Sequence, residues 1–401
     1  MGGIAVSGRE ALFPNYAPFF SARLVKGKGS KVWDENGREY LDLMSGIAVT
    51  GLGHAPDAVK QALIDQLENL WHVSNLFEIP GQEKLASMLA EAGCADLAFF
   101  CNSGAEANEA AIKLARRYNR KVLGNNRYEI IAFQSSFHGR TLATLTATGQ
   151  DKVKDGFDPL PAGFVHVEYN NLEALEAAIN DRTCAIIMEF VQGEGGVNPA
   201  GPAFAAGVKR LCEKHGLLLI ADEIQTGIGR TGQMFGYQHY GVEPDIITLA
   251  KGLGSGFPIG AMLGKAFLRD GFSAGSHGST FGGTPIACSA AIATLETMKR
   301  EELPKRAARL GTEGMLRLRA ALADHPELVS VRGLGLLIGI ELASPVTDIV
   351  MAAQKEGLLV ITAGPNVIRL LPALTIGEDE WFGGLDALAG IILKSKNGVA
   401  V

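Results

Sequence analysis

Apolar residues in the middle of this sequence gather into short, nearly unbroken runs instead of alternating with polar ones. The runs cover 98–101, 129–133, 184–188, 217–221 and 246–250, with Glu129 at the start of one and Thr248 inside another as the polar members. A strand that is apolar at every position suits a parallel sheet covered on both faces, whereas a half-exposed strand would show a period of two. Helical periodicity fills the gaps, over 107–118 and 172–179, so the order reads as repeated β-α-β units. In the first of these helices Ala107, Ala111, Leu114, Ala115 and Tyr118 share one face, and Glu109 and Lys113 form an outward pair four residues apart.

From about residue 301 the texture changes. A helical stretch over 306–322 is followed by short apolar runs at 336–341, 358–361 and 367–371, which reads as a smaller α+β unit. GLGLLIGIEL is expected to be a buried strand, not a phosphate loop, because no helical pattern comes after it. Near the start, KGKGSKVWDENGREYLDL reads as a hairpin with Asp34 and Asp42 on its surface, packing against the smaller unit. The expected organisation is an N-terminal segment over 1–45, a large domain over 46–300 and a small domain over 301–401. The fold class is α/β, with a mainly parallel central sheet.

Each strand-like run ends in polar residues: Asn102-Ser103-Gly104, the stretch 136–140, Glu189, Asp222-Glu223, and Lys251. Ligands of open α/β sheets bind outside the carboxyl ends of the strands, so five such clusters on one edge would make one site. After Cys101 the small residues Ser103, Gly104 and Ala105 open a helix, leaving N–H groups free for a phosphate. Equally, Asn102 or Ser103 is an ordinary helix cap. Asp222 ends an apolar strand, where a carboxylate needs a cation or a donor, or else serves as a strand-end helix cap. Lys251 stands after another apolar strand and before a glycine-rich turn. An amine there is costly unless it is neutral, paired or covalently used.

Composition narrows the field. At 401 residues, 47% apolar and 20% charged, the chain is globular and long enough for two structural units. A net charge of −6 argues against a nucleic-acid partner. No apolar run approaches the roughly 18 residues of a membrane span. MGGIAVSGREALF lacks the basic and long apolar regions of a secretory signal, and Val6 stands where N-myristoylation requires Ser or Thr. The five cysteines form no C-x-x-C pair and sit in apolar company, so buried reduced thiols and a cytoplasmic location are expected. His138 has no ligand spacing around it, and no metal site is expected.

The segments NSGAEANEAAIKLAR, SFHGRT, QGEGGV, ADEIQTGIGRTG, LAKGLGSGFPIGA, GSTFGG and RLLP, in this order, resemble the class III (fold type I) aminotransferases. The likeness runs over nearly the whole chain, and within the class it is greatest toward the bacterial acetylornithine group. It implies pyridoxal 5′-phosphate (PLP) as cofactor and transfer of an ω-amine from N2-acetylornithine to 2-oxoglutarate, a step of arginine biosynthesis. It also implies a homodimer with shared active sites and no nucleic-acid or membrane partner.

By the same resemblance Lys251 would carry the cofactor covalently and shuttle the proton. Asp222 would hold the pyridine nitrogen, Gln225 the phenolic oxygen, and Phe137 the ring face. Ser103, Gly104 and Ala105 would cradle the phosphate, and Thr280 would reach the phosphate of the neighbouring subunit. Arg140 and Ser279 would bind the donor, with Tyr16 lining its pocket. Arg369 would grip the 2-oxoglutarate carboxylate, and Glu194 would neutralise that arginine while the donor occupies the site.

Ornithine, succinylornithine and 4-aminobutyrate aminotransferases would share this arrangement; PLP aminomutases lack the counterparts of Arg369 and Glu194. Gly46-Ile47-Ala48 resembles the acetylornithine group, since free-ornithine enzymes carry an aromatic at the Ile47 position. A non-catalytic phosphate binder on a doubly wound sheet is the reading from a different class. Phe190 and Thr284 depart from the family's usual proline and asparagine, and the segment after Pro372 is divergent.

Overall fold

The nearly unbroken apolar runs become strands of one sheet buried on both faces. The computed structural model describes residues 11–16 and 22–395. In it the strands lie in the order Leu97–Cys101, Gly260–Gly264, Ile246–Leu249, Leu218–Asp222, Thr183–Met188, Glu129–Phe133 and Phe164–Val167. Ile130, Ala132, Ala185, Ile187, Leu218 and Ile220 pack with Ala111, Leu114 and Ala115 of the helix Gly104–Lys121. The alternate residues Ile131, Phe133, Ile186, Met188, Leu219 and Ala221 belong to the core on the opposite face, with Phe204, Ala205 and Val208 of the helix Pro202–His215. With both faces dry, nothing in these strands selects for polar alternation.

The fold is thus α/β with a mostly parallel central sheet. Gly260–Gly264 is the exception, antiparallel to both its neighbours, while the other adjacent pairs run parallel. Sequence reading passes over this strand because GAMLG is short, bounded by glycine and free of β-branched residues. Because Leu97–Cys101 and Ile246–Leu249 both run against it, they run the same way as each other. All five cluster-bearing strands therefore end at one edge.

The helix Gly104–Lys121 begins three residues before its apolar period, because the Ser103 hydroxyl accepts from the Glu106 N–H at 3.2 Å and caps it. The outward pair expected between Glu109 and Lys113 does not form. Glu109 accepts from the Thr141 hydroxyl at 2.5 Å, and Lys113 meets His277 Nδ1 at 2.7 Å.

A second, antiparallel sheet contains Leu328–Leu334, Leu337–Leu342, Val367–Leu370 and Ile361–Thr362, in that order. The helices Leu303–Ala321 and Glu378–Ser395 pack together beside it, with Trp381 fully buried and its indole N–H donating to the Leu310 carbonyl at 3.0 Å. GLGLLIGIEL supplies the buried strand Leu337–Leu342.

The strands Leu24–Lys28, Lys31–Asp34 and Glu39–Asp42 form a meander whose last member pairs in parallel with Leu358–Leu359. Asp34 and Asp42 are not on its surface: both are buried. Asp34 accepts the N–H groups of Asn36 and Arg38 at 3.0 Å, and Asp42 those of Met44 and Ser45 at 2.9 Å, with His54 Nε2 at 2.7 Å. Short carboxylates close these turns by taking up backbone donors. Among the described residues no helix is long and apolar enough to cross a membrane. All five cysteines are free, and four are buried.

Candidate active site

The five strand-end clusters meet around one cavity of about 410 Å³. Its wall holds Ser103, Gly104 and Ala105, the stretch from Phe137 to Arg140, Glu189, Asp222, Gln225 and Lys251. Gly104 lets the helix start lie against the loop after Asp222; a Cβ there would stand 2.8 Å from Ile224 Cδ1. The first-turn N–H groups of Gly104 and Ala105 have no acceptor within the helix, and the helix dipole places partial positive charge there.

Asp222 is held by three donors. Its Oδ2 accepts from Asn108 Nδ2 at 2.8 Å and lies 2.7 Å from His138 Nδ1, and its Oδ1 accepts from the Ile224 N–H at 3.1 Å. Asn108 is fixed in turn by the Thr248 hydroxyl at 2.7 Å and by the His138 carbonyl at 2.7 Å. Glu189 stands close by: one ligand-type atom each from His138, Glu189 and Asp222 lies within 4.8 Å of the others. Burial pushes the Glu189 carboxyl well above the usual range, and the charge of Asp222 adds to the push. Its Oε1 accepts the Phe137 N–H at 3.1 Å.

Lys251 has left-handed backbone (φ 41°) at the start of a short turn after the strand Ile246–Leu249. Burial lowers the pKa of its amine, and the nearby Arg369 charge acts in the same direction. Among the described residues that amine makes no ion pair or hydrogen bond. A lowered, unengaged amine is a nucleophile in waiting.

Arg369 is wholly buried in the strand Val367–Leu370 of the second sheet, yet reaches this site. Its Nη1 donates to Glu194 Oε1 at 2.7 Å and to Gln225 Oε1 at 3.1 Å, and its Nη2 donates to Glu194 Oε2 at 3.2 Å. Burial works to raise the Glu194 carboxyl, but the bidentate arginine outweighs it and holds the group below its ordinary value. Gln225 Nε2 also donates to Glu194 at 3.3 Å, so this amide bridges the pair.

Three expected residues stand apart from the cavity. Ser279 accepts from Asn102 Nδ2 at 3.1 Å and, with Thr280, lines a separate depression of about 340 Å³ on the far side of Asn102. Tyr16 is 84% exposed and lines neither. Arg140 sits at the mouth, its guanidinium 5.7 Å from the centroid of Phe137.

The Aminotransferase class-III family model matches residues 13–392. The chain belongs to that family. This class-III aminotransferase is 52% identical over 369 residues to an acetylornithine aminotransferase of Halalkalibacterium halodurans, covering 92% of this chain and 94% of that one. It is 46% identical over 391 residues to a succinylornithine transaminase/acetylornithine aminotransferase of Pseudomonas aeruginosa, covering 96% of each. A solved ornithine aminotransferase from Toxoplasma gondii, with PLP at partial occupancy in its active site, superposes with a TM-score of 0.93 at 35% identity, covering 97% of this chain and 94% of that one.

Around Asp222 the class-III aminotransferase holds groups that local sequence reading misses. His138, Asn108 and Thr248 come together from 84, 114 and 140 residues of separation along the network. One signal was available: Asn108 is an amide among the alanines of a buried helix face, and a buried amide requires partners.

Proposed function

We propose that this cavity holds PLP and moves the ω-amino group of N2-acetylornithine to 2-oxoglutarate, giving the semialdehyde and glutamate. The observation that carries the reading is the Arg369–Glu194 pair beside Lys251. One pocket must take first an amine donor and then a dicarboxylic oxo acid, and a buried arginine with its own displaceable carboxylate serves both. The acetylornithine enzyme of Halalkalibacterium halodurans and the PLP in the Toxoplasma gondii structure support it.

The residues present fit the cofactor. Open helix N–H groups at Gly104 and Ala105 suit a phosphate, Asp222 offers a rigidly held carboxylate for a pyridinium, Phe137 offers a ring face, and Lys251 offers an unengaged amine of lowered pKa. When bound, PLP supplies an electron sink for the pair released as a substrate C–H bond breaks. Asp222, fixed by Asn108 and His138, favours the charged ring nitrogen. Lys251 Nζ would take the proton from the donor carbon and hold it for its return. Arg140 at the mouth takes the donor carboxylate while Glu194 neutralises Arg369. Glu194 then yields Arg369 to 2-oxoglutarate.

Ser279 and Thr280, outside their own chain's cavity, are assigned to the site of a second copy. The exposed Trp71, Phe77 and Phe281 support a homodimer through this face. Tyr16 is kept as a donor-side residue on the resemblance alone, and the free, largely buried thiols support a cytoplasmic setting.

The test separates the half-reactions. Arg369→Ala should slow the 2-oxoglutarate half-reaction about a hundredfold, the loss expected for a charge-assisted pair of roughly 3 kcal/mol, and the donor half-reaction far less. Arg140→Ala should show the opposite bias. Stopped-flow absorbance reads both, and equal damage to both half-reactions by each variant would remove the two-carboxylate reading.

A further inference from the structure

The hairpin that carries Glu194 is seated on the small sheet by a row of three residues. Its strands Val191–Gln192 and Asn198–Pro199 leave 193–197 as the tip. Across the sheet Arg332 is paired with Gly339, and Gly339 with Arg369. Cross-strand partners share a face, so the three stand in one line.

Each member of the row meets a different part of the tip. Arg369 takes the Glu194 carboxylate at 2.7 and 3.2 Å. Gly339 leaves room for Val197, since a Cβ at 339 would stand 2.9 Å from Val197 Cβ. Arg332 donates from Nη2 to the Gly196 carbonyl at 2.6 Å and from Nε to the Val197 carbonyl at 3.0 Å. It is itself held by the Ser330 hydroxyl at 2.5 Å and by Glu341.

The tip is confined from its other sides as well. Asn198 Nδ2 donates to the Gly195 carbonyl at 2.8 Å, so side chains serve three successive carbonyls. A Cβ at Gly193 would lie 2.1 Å from Gln225 Oε1, and one at Gly195 would lie 2.4 Å from the Ser135 carbonyl oxygen. Val197 has φ +53°, a conformation that β-branched residues resist, so something must impose it. Within the ion pair the side chain of Arg369 is 1% exposed and that of Glu194 is 29% exposed. The freedom to leave belongs to Glu194.

We propose that Arg332 is a positioning residue for the carboxylate exchange: with Gly339 it fixes the Glu194 backbone in register with Arg369, so that Glu194 yields by side-chain rotation alone. This rests on the reading of Arg369 as the acceptor-carboxylate residue. Loosening the clamp lowers the local concentration of the Glu194 carboxylate at Arg369. External dicarboxylates then bind more tightly, and the donor, which needs Arg369 neutralised, is handled less well.

A double-mutant cycle on the PLP-loaded enzyme tests this, with glutarate titrated calorimetrically as an unreactive dicarboxylate. Glu194→Gln should tighten glutarate, Arg332→Met should tighten it about fivefold, and the double variant should match Glu194→Gln alone. Equal factors for Arg332→Met in both backgrounds, or no effect in either, would overturn the positioning role and leave Arg332 a support of the fold. If Glu194→Gln itself left glutarate binding unchanged, the reading of the Arg369–Glu194 pair would fall, and this proposal with it. Should Arg332→Met not fold, Arg332→Lys carries the same cycle. It keeps the charge facing Glu341 but cannot span two carbonyls, and the same ordering with smaller factors is expected.

Discussion

Lys251→Ala should leave the protein folded and able to bind PLP, with turnover reduced by at least about 10⁴-fold, or about 5.5 kcal/mol of barrier. The fold should tolerate the change because the amine has no hydrogen-bond or ion-pair partner among the described residues to strand. Alanine bears the left-handed φ of 41° no worse than lysine does, since both carry a Cβ. Chemistry has no such tolerance. The side chain is proposed both to tether the cofactor and to move the proton, and its loss removes a positioned nucleophile and a positioned base together. Borohydride treatment followed by mass spectrometry should find the cofactor attached at Lys251 in the parent and at no residue of the variant. Transamination by Lys251→Ala within tenfold of the parent would end the assignment.

Asp222→Asn should cost about a thousandfold in turnover, roughly 4 kcal/mol, and the reason lies in the donors around it. Oδ2 faces both Asn108 Nδ2 and His138 Nδ1, so an asparagine must turn its carbonyl oxygen that way to avoid setting a donor against donors. Its amide nitrogen then occupies the Oδ1 position, facing the Ile224 N–H, in a residue that lines the cavity. A donor there cannot accept a pyridinium N–H, and the electron sink loses its counter-charge. Volume is unchanged, so circular dichroism and melting should stay near the parent while the spectrum of the bound cofactor and the steady-state rate shift. Rates within a few-fold of the parent would rule out Asp222 as the partner of the ring nitrogen.

The parts of this site that were legible in the sequence are those set by local covalent order. Apolar runs buried on both faces of the sheet keep few polar positions away from their ends, Thr248 being one, so Asp222, Glu189 and Lys251 stand out where each run stops. The small-residue turn at Ser103, Gly104 and Ala105 also stands at a strand end, but its residues alone read as well as a helix cap, which Ser103 is; only the family likeness gave it a phosphate.

The illegible parts depend on pairs distant in the chain. Arg369 lies 175 residues from Glu194, and only the likeness of RLLP and QGEGGV to a known family joined them. His138 gave no metal-ligand spacing, and its partner Asp222 lies 84 residues away. Asp34 and Asp42 look like solvated hairpin residues because a sequence does not show which backbone donors a tight turn must satisfy. The strand Gly260–Gly264 was missed since its sheet neighbours, not its own propensity, impose the extended form. The row Arg332, Gly339 and Arg369 exists only through strand register.

The central claim, that this cavity moves an amino group from an ω-amine donor to 2-oxoglutarate, is tested most directly by the absorbance of the PLP-loaded protein with one substrate at a time. N2-acetylornithine alone should convert the cofactor fully to its amine form, faster than ornithine, succinylornithine or 4-aminobutyrate does. Subsequent 2-oxoglutarate should restore the starting spectrum with one glutamate formed per site. A spectrum unmoved by any of these amines would contradict transamination here, and one moved by another amine but not by N2-acetylornithine would contradict the proposed donor.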